Sequence, residues 1–198
     1  MNGFEKRAER IKEKIMMSTF EMLKTWEPKR IRIADIAKKA NVSQVTIYNH
    51  FGSKDLLLRE VFMDYINKYT AEFEAYITEK HSLKEIVQYS IIRGKESYKM
   101  LPAAVIKEIM IEDHEMNQYF ETEYKEKVLP LIVRLINEGK ERGEISSKVS
   151  IPTILFYIDM FFRQSEQLLD YARQYGNMEQ FIEEMNILFF YGICGKDE

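Results

Sequence analysis

Along this chain apolar residues recur at three- and four-residue steps, the spacing of one helical face, and no segment alternates apolar with polar for long. Ile11, Ile15, Phe20, Met22, Leu23 and Trp26 predict a first amphipathic helix. It should end near Glu27-Pro28, because the residue before a proline avoids the helical conformation. A short second helix follows, with Ile33, Ile36, Ala37 and Ala40 on its inner face, ending at Asn41. There one left-handed residue is expected, for which Gly is cheapest and Asn next. Ser43 offers its hydroxyl as N-cap of a third helix, Gln44 to Phe51. Gly52 breaks that helix, and Ser53 opens a long fourth one through Leu56, Leu57, Val61, Phe62, Tyr65, Tyr69 and Phe73.

The helical pattern continues past Lys80. Ser82 and Glu85 have the spacing of a capping box for a fifth helix, and Pro102 marks a break before the sixth. The seventh should begin near Glu115, bend at Pro130 and stop at Gly143. Ser150 and Pro152 open an eighth, and Asn177 with Gln180 a ninth. The reading is an all-α chain of about nine helices: an N-terminal three-helix domain, residues 1–52, and a helical bundle, residues 53–198.

Two short helices joined by a tight turn, the second opened by a polar cap, form the helix-turn-helix that presents a reading helix to the major groove. Here the motif spans about 32–51. Gln44, Thr46, Tyr48, Asn49 and His50 should point outward, while Val42, Val45 or Ile47, and Phe51 pack inward. Gln and Asn can bond adenine edges in two places, a Thr methyl can meet a thymine methyl, and Tyr and His can donate to phosphate.

The run Asp35-Ile-Ala-Lys-Lys-Ala-Asn-Val-Ser-Gln-Val-Thr-Ile-Tyr-Asn-His-Phe-Gly-Ser-Lys-Asp-Leu-Leu57 resembles the signature of the TetR family, roughly D-I-A-x-x-A-G-V-S-x-G-T-L-Y-x-Y-F-x-S-K-E-x-L. The resemblance implies a fold of nine or ten helices, a homodimer on a pseudo-palindromic operator in double-stranded DNA, and most often a repressor released by a small molecule. It also implies an effector cavity within helices four to eight and dimerisation through the last two. Lys54 matches the family lysine that holds a phosphate. Several positions depart from the pattern. Ile31-Arg32 stands where Thr-Thr is usual, giving a cation for a phosphate; Asn41 and Val45 replace glycines, and Val45 brings a methyl surface that could meet thymine. The DNA-contacting set is then Arg32, Ser43, Gln44, Val45, Thr46, Tyr48, Asn49, His50 and Lys54.

Charge fits that picture. Residues 1–60 carry 13 Lys+Arg against 8 Asp+Glu, and residues 61–198 carry 16 against 24. A basic head that attracts phosphate therefore precedes an acidic body. The body is rich in aromatics and methionine, with 12 Tyr, 12 Phe and 11 Met in the chain. Tyr89, Ile92, Tyr98, Met110, Met116, Tyr119, Phe120, Tyr124, Phe156, Tyr157 and Met160 are candidates to line a cavity for an apolar or aromatic effector, with plain core packing as the alternative for each. Ile158, Phe162, Leu169, Met185, Leu188 and Phe189 are candidates for a dimer interface, with burial inside the monomer as the alternative.

No apolar run approaches the roughly 18 residues of a membrane span, and the charged N-terminal segment lacks the apolar stretch of a secretory signal, so a cytoplasmic protein is expected. The lone Cys194 offers neither a disulfide nor a metal cluster. His81 and the run Glu112-Asp113-His114-Glu115 do not converge on a metal by spacing, and no cofactor is expected. An enzyme or a ligand carrier on a helical bundle is the competing class; the scattered histidines give no nucleophile beside a base, so no enzyme is expected, and a pure ligand carrier has no use for the helix-turn-helix.

Overall fold

The computed structural model describes residues 3–79, 81–163, 171 and 174–193. Among these residues it is all-helical: α1 (Gly3–Leu23), α2 (Ile33–Ala40), α3 (Gln44–Phe51), α4 (Lys54–Thr78), α5 (Leu83–Met100), α6 (Ala103–Ile106), α7 (His114–Glu123), α8 (Leu129–Glu141), α9 (Ile151–Arg163) and α10 (Met178–Ile193). A π-helical stretch, Tyr124–Val128, joins α7 to α8. Counting α7, this stretch and α8 as one helical segment leaves nine helices among the described residues, as the sequence predicts.

The first helix ends earlier than expected. It stops at Leu23, and Pro28 instead opens a short 3-10 turn, Pro28–Arg30. Trp26 therefore lies past the helix and is half exposed, rather than continuing its apolar face. Pro130 also acts differently from a simple kink. It sits in the first turn of α8, directly after the π-helical stretch. A proline supplies no amide to the carbonyl four residues back, and the ladder there adopts the wider i→i+5 pattern.

Other boundaries follow from local chemistry. The Ser82 amide donates to Glu85 Oε2 at 2.8 Å and the Glu85 amide to Ser82 Oγ at 3.3 Å, the reciprocal capping box. The Thr153 amide donates to Ser150 Oγ at 3.3 Å, and the Gln180 amide to Asn177 Oδ1 at 3.1 Å. Gly143, at φ +70°, closes α8: its amide donates to Lys140 O, and the Glu144 amide to Gly139 O.

The chain divides into two compact units. The first comprises residues 1–71 and 98–120, the second 72–97 and 121–198. The first unit has a continuous apolar core including Ile15, Leu23, Ile36, Ile47, Leu57, Phe62, Val105 and Met116. Met116, a candidate for the cavity, is fully buried in this core. The one buried polar side chain among the described residues, Thr19, returns its hydroxyl to Ile15 O at 2.8 Å. In the second unit Leu83, Ile136, Ile145, Ile154 and Ile158 form one cluster, and Ile77, Ile86, Leu131 and Leu135 another.

Within the first unit Arg59 of α4 meets the start of α7. Its Nε donates to Asp113 Oδ2 at 2.8 Å and its Nη1 to Glu115, while Asp113 Oδ1 accepts from the Met116 amide at 3.1 Å. Partial burial works against the charged Asp113 carboxylate, but Arg59 and the Met116 amide outweigh it, and its pKa is lowered from 3.8. A lowered carboxylate stabilises the fold above its unfolded pKa and loses that contribution as pH falls through the folded value. Asp113→Asn keeps a competent cap and removes the charge. It should cost about 1 kcal/mol at neutral pH, and in denaturation curves the deficit should shrink as pH falls below 3.8 and vanish only below the still lower folded value.

Candidate nucleic-acid interface

The reading helix is built from both ends. At its front, Asn41 takes φ 50°, ψ 53°. Its amide donates to Lys38 O and the Val42 amide to Ala37 O at 3.0 Å, and Val42 packs on the core that includes Ala37. These are the bonds and apolar contact of a left-handed helix stop. Two residues later Ser43 Oγ accepts from the Thr46 amide at 3.0 Å and bonds Thr46 Oγ1 at 2.8 Å. At the back, Gly52 at φ 77° donates its amide to Tyr48 O at 2.8 Å, a conformation that any side chain would strain.

Between these ends the faces separate. Ile47 and Phe51 are buried, which resolves the choice left open by the sequence: Ile47 packs inward and Val45 is 66% exposed. Gln44, Tyr48 and Asn49 are exposed beside it, with Thr46 and His50 partly so. Tyr48 is 49% exposed, so its ring is free to meet a flat partner. Arg32 occupies the cap position of α2 without a side-chain bond to the helix, and is exposed. Eight of the nine candidate side chains thus lie on or at the edge of one short segment, residues 32–50.

Lys54 has a different occupation. Its Nζ donates to Pro28 O at 3.0 Å and to Ile31 O at 3.2 Å. The ammonium thereby ties the turn before α2 to the start of α4, adding a charged donor to the Pro28 carbonyl, which already accepts from the Ile31 amide, and to the Ile31 carbonyl. Two of its three N–H groups are used and one remains. The sequence offered a lysine at a family position but no sign of this clamp, since the partners are backbone atoms 23 and 26 residues away.

Near the same turn, burial pushes the Glu108 carboxyl up, with Glu112 and Glu27 adding to the shift and Lys29 and Lys54 opposing it. A second contact missed in the sequence joins three helices of the head: Lys12 of α1 pairs with Glu60 of α4, and its Nζ lies 5.9 Å from the centroid of the Phe51 ring at the end of α3.

The candidate effector residues do not form one described group. Tyr119 and Phe120 belong to the first unit and Tyr89, Tyr124, Phe156, Tyr157 and Met160 to the second. Tyr119 donates its hydroxyl to Asn67 Oδ1 at 2.9 Å. Tyr89 stacks on Tyr76 at 3.8 Å between ring centroids, and Tyr76 in turn on His81 at 4.0 Å. Burial, with the Asp159 carboxylate, pushes the Tyr124 hydroxyl up. Tyr157 stacks on Phe189 at 5.4 Å. Phe156 is 70% exposed, and Ile92 and Met160 are exposed as well. The side chains of Tyr98 and Met110 lie outside the described residues.

Of the candidate dimer residues, Ile158 is 8% exposed and sits in the second unit's own core, because its side of α9 packs on Leu83 and Ile136. Phe189 is partly buried against that cluster, whereas Leu188 is 63% exposed and Met185 intermediate. The Phe162 side chain, Leu169 and Cys194 lie outside the described residues. Among the described residues no three His, Cys, Asp or Glu side chains group to hold a metal, and no helix is long and apolar enough to cross a membrane.

With this geometry in place, comparison with known proteins identifies the segment. Residues 28–61 match the family described as bacterial regulatory proteins, tetR family. No curated protein matches the chain. Among solved structures, the transcriptional regulator FadR from Bacillus subtilis in complex with stearoyl-CoA is 20% identical, covers 91% of this chain and 98% of its own, and superposes with TM-score 0.69. A TetR-family transcriptional regulator from Cytophaga hutchinsonii is 17% identical, with coverages of 96% and 98% and TM-score 0.70. The fatty acid degradation regulator FadR from Bacillus halodurans is 18% identical, with coverages of 91% and 98% and TM-score 0.64. Likenesses of this degree establish a shared fold.

The Lys54 clamp has a measurable consequence. Lys54→Met leaves two carbonyls without their charged donor and should lower stability by about 1.5–3 kcal/mol. In differential scanning calorimetry this corresponds to a melting temperature lower by roughly 3–10 °C. An unchanged melting temperature would mean that the clamp contributes nothing.

Proposed function

The chain carries a tetR-type helix-turn-helix on a TetR-like all-helical fold, and from that premise we propose that it is a sequence-specific DNA-binding repressor released from its operator by a small molecule. The observation that carries the reading is the outer face of α3. It is a capped, eight-residue helix whose buried side is satisfied by the head and whose other side offers Gln44, Val45, Tyr48 and Asn49 to a partner.

Each exposed group has a task in this reading. Gln44 and Asn49 read base edges through paired donor and acceptor atoms, and Val45 meets a thymine methyl. Arg32, Tyr48, His50 and the remaining N–H of Lys54 hold phosphates, while the α3 N-terminus, where Ser43 caps the Thr46 amide, approaches the backbone. A homodimer, with the exposed Leu188 side of α10 as part of its interface, sets two such helices about 34–36 Å apart in successive major grooves of a pseudo-palindrome. The protein works in the cytoplasm and needs no cofactor.

The effector is apolar or aromatic, taken up by residues 53–198. The half-buried Tyr89, Tyr124 and Tyr157 supply aromatic surface and hydroxyl groups for it. The Bacillus subtilis regulator, solved with stearoyl-CoA, makes a long acyl thioester the first class to try. Effector binding changes the spacing of the two reading helices, and the energy for this is its preference for the released form.

Gel retardation on the DNA upstream of the protein's own gene, at two salt concentrations, tests the reading. A shifted band that weakens as salt rises is expected, since each neutralised phosphate releases counterions. No shift at low salt would favour a ligand carrier. Gln44→Ala should reduce discrimination at one base pair by about 1–3 kcal/mol, whereas Tyr48→Ala should weaken all duplexes alike. Equal losses on every operator variant would remove Gln44 from base reading. Light scattering at micromolar concentration should give a dimer; a monomer would contradict the paired half-sites.

A further inference from the structure

Three segments far apart in the chain bring charged side chains together at the turn before α2. Lys29 stands exposed in the 3-10 turn itself, and Lys54 at the start of α4 clamps Pro28 O and Ile31 O. The third segment is the π-helical stretch Lys107–Glu112 that follows α6 and carries Glu108. It is anchored in the first unit's core: Val105 and Ile109, before and after Glu108 in the chain, are buried in the same cluster as Ile31 and Leu57. Glu108 is half-buried there, within electrostatic reach of both ammonium groups, with Glu27 and Glu112 also near.

These three acids are not equivalent. Glu27 already pairs with Arg30 at 3.5 Å, and Glu112 is exposed, where water and salt screen it. The charge of Glu108 is screened least, because burial removes water from around its carboxylate and strengthens its interaction with nearby charges. The same burial pushes its carboxyl up. A neutral side chain of the same shape therefore costs the fold little at this position.

We propose that Glu108 is an internal rival of DNA phosphate, drawing on the field of Lys29 and Lys54 and so lowering the head's affinity for every duplex. The inference rests on the DNA-binding reading above and adds Lys29 to its phosphate contacts. Phosphate contacts position a protein without reading sequence, so Glu108 sets how tightly DNA is held and leaves base preference unchanged.

The test measures binding of the full chain, at pH 8, to labelled duplex from upstream of its gene and to an unrelated duplex of equal length. Glu108→Gln should bind both about fivefold more tightly at low salt, with the ratio of the two affinities unchanged. The gain should fade as salt rises, and it should shrink when Lys29→Gln is also present. A second neutral variant, Glu108→Met, should behave alike, and calorimetry should find both folded. Glu13→Gln, an equal change of charge at an exposed position of α1, should gain far less. Native affinity in the folded Glu108 variants, or an equal gain from Glu13→Gln, would overturn the inference and leave the DNA-binding reading standing. Unfolding of both Glu108 variants would overturn it as well, by making the carboxylate a structural group. Binding of neither duplex by the native chain or its variants would overturn both the inference and the reading beneath it.

Discussion

An eight-residue helix does not persist in water on its own, because nucleating the first turn fixes several backbone angles for a single hydrogen bond. Everything the head offers to DNA depends on overcoming that constraint for α3. The structure does so from three sides. Ile47 and Phe51 are buried in the first unit's core, Ser43 satisfies an amide at the front, and the Asn41 and Gly52 conformations stop the chain from continuing as one long helix. The inner face and the ends supply the stability, so the outer face is left without a structural duty. That division leaves Gln44, Val45, Tyr48 and Asn49 open for the recognition proposed for them.

The same division explains what the sequence revealed. Caps and stops are local chemistry, so Ser43, Asn41, Ser82 with Glu85, Gly143 and Asn177 could be placed from residue type and spacing, and the structure places each where expected. The end of α1 was misjudged because Pro28 is only an upper limit: the ladder gives out at Leu23, four residues before Glu27. Val45 and Ile47 could not be told apart by hydropathy, since both are apolar and two positions apart. Only packing against the core decides between them, and it selects Ile47.

The contacts that hold the head together were out of reach for a different reason. Lys54 binds backbone carbonyls, which every residue possesses, so no residue type marks the partners. Arg59 meets Asp113 across 54 residues of chain, and Lys12 meets Glu60 across 48, distances over which periodicity carries no information. In the body, aromatic content suggested a cavity but did not say which rings pack on one another. Tyr76, unremarked in the sequence, proves to lie between His81 and Tyr89 in a face-to-face stack. Ile158 illustrates the limit of an all-round apolar helix: such a helix must be buried, but by what is settled only in three dimensions, and here the chain's own core takes that residue.

The central claim, that the outer face of α3 is where DNA is met, is tested most directly by amide hydrogen exchange of the full chain with and without duplex DNA from upstream of its gene. At low salt the account predicts slowed exchange concentrated in residues 41–54. DNA binding with no change in that segment, and protection confined to the second unit, would contradict it.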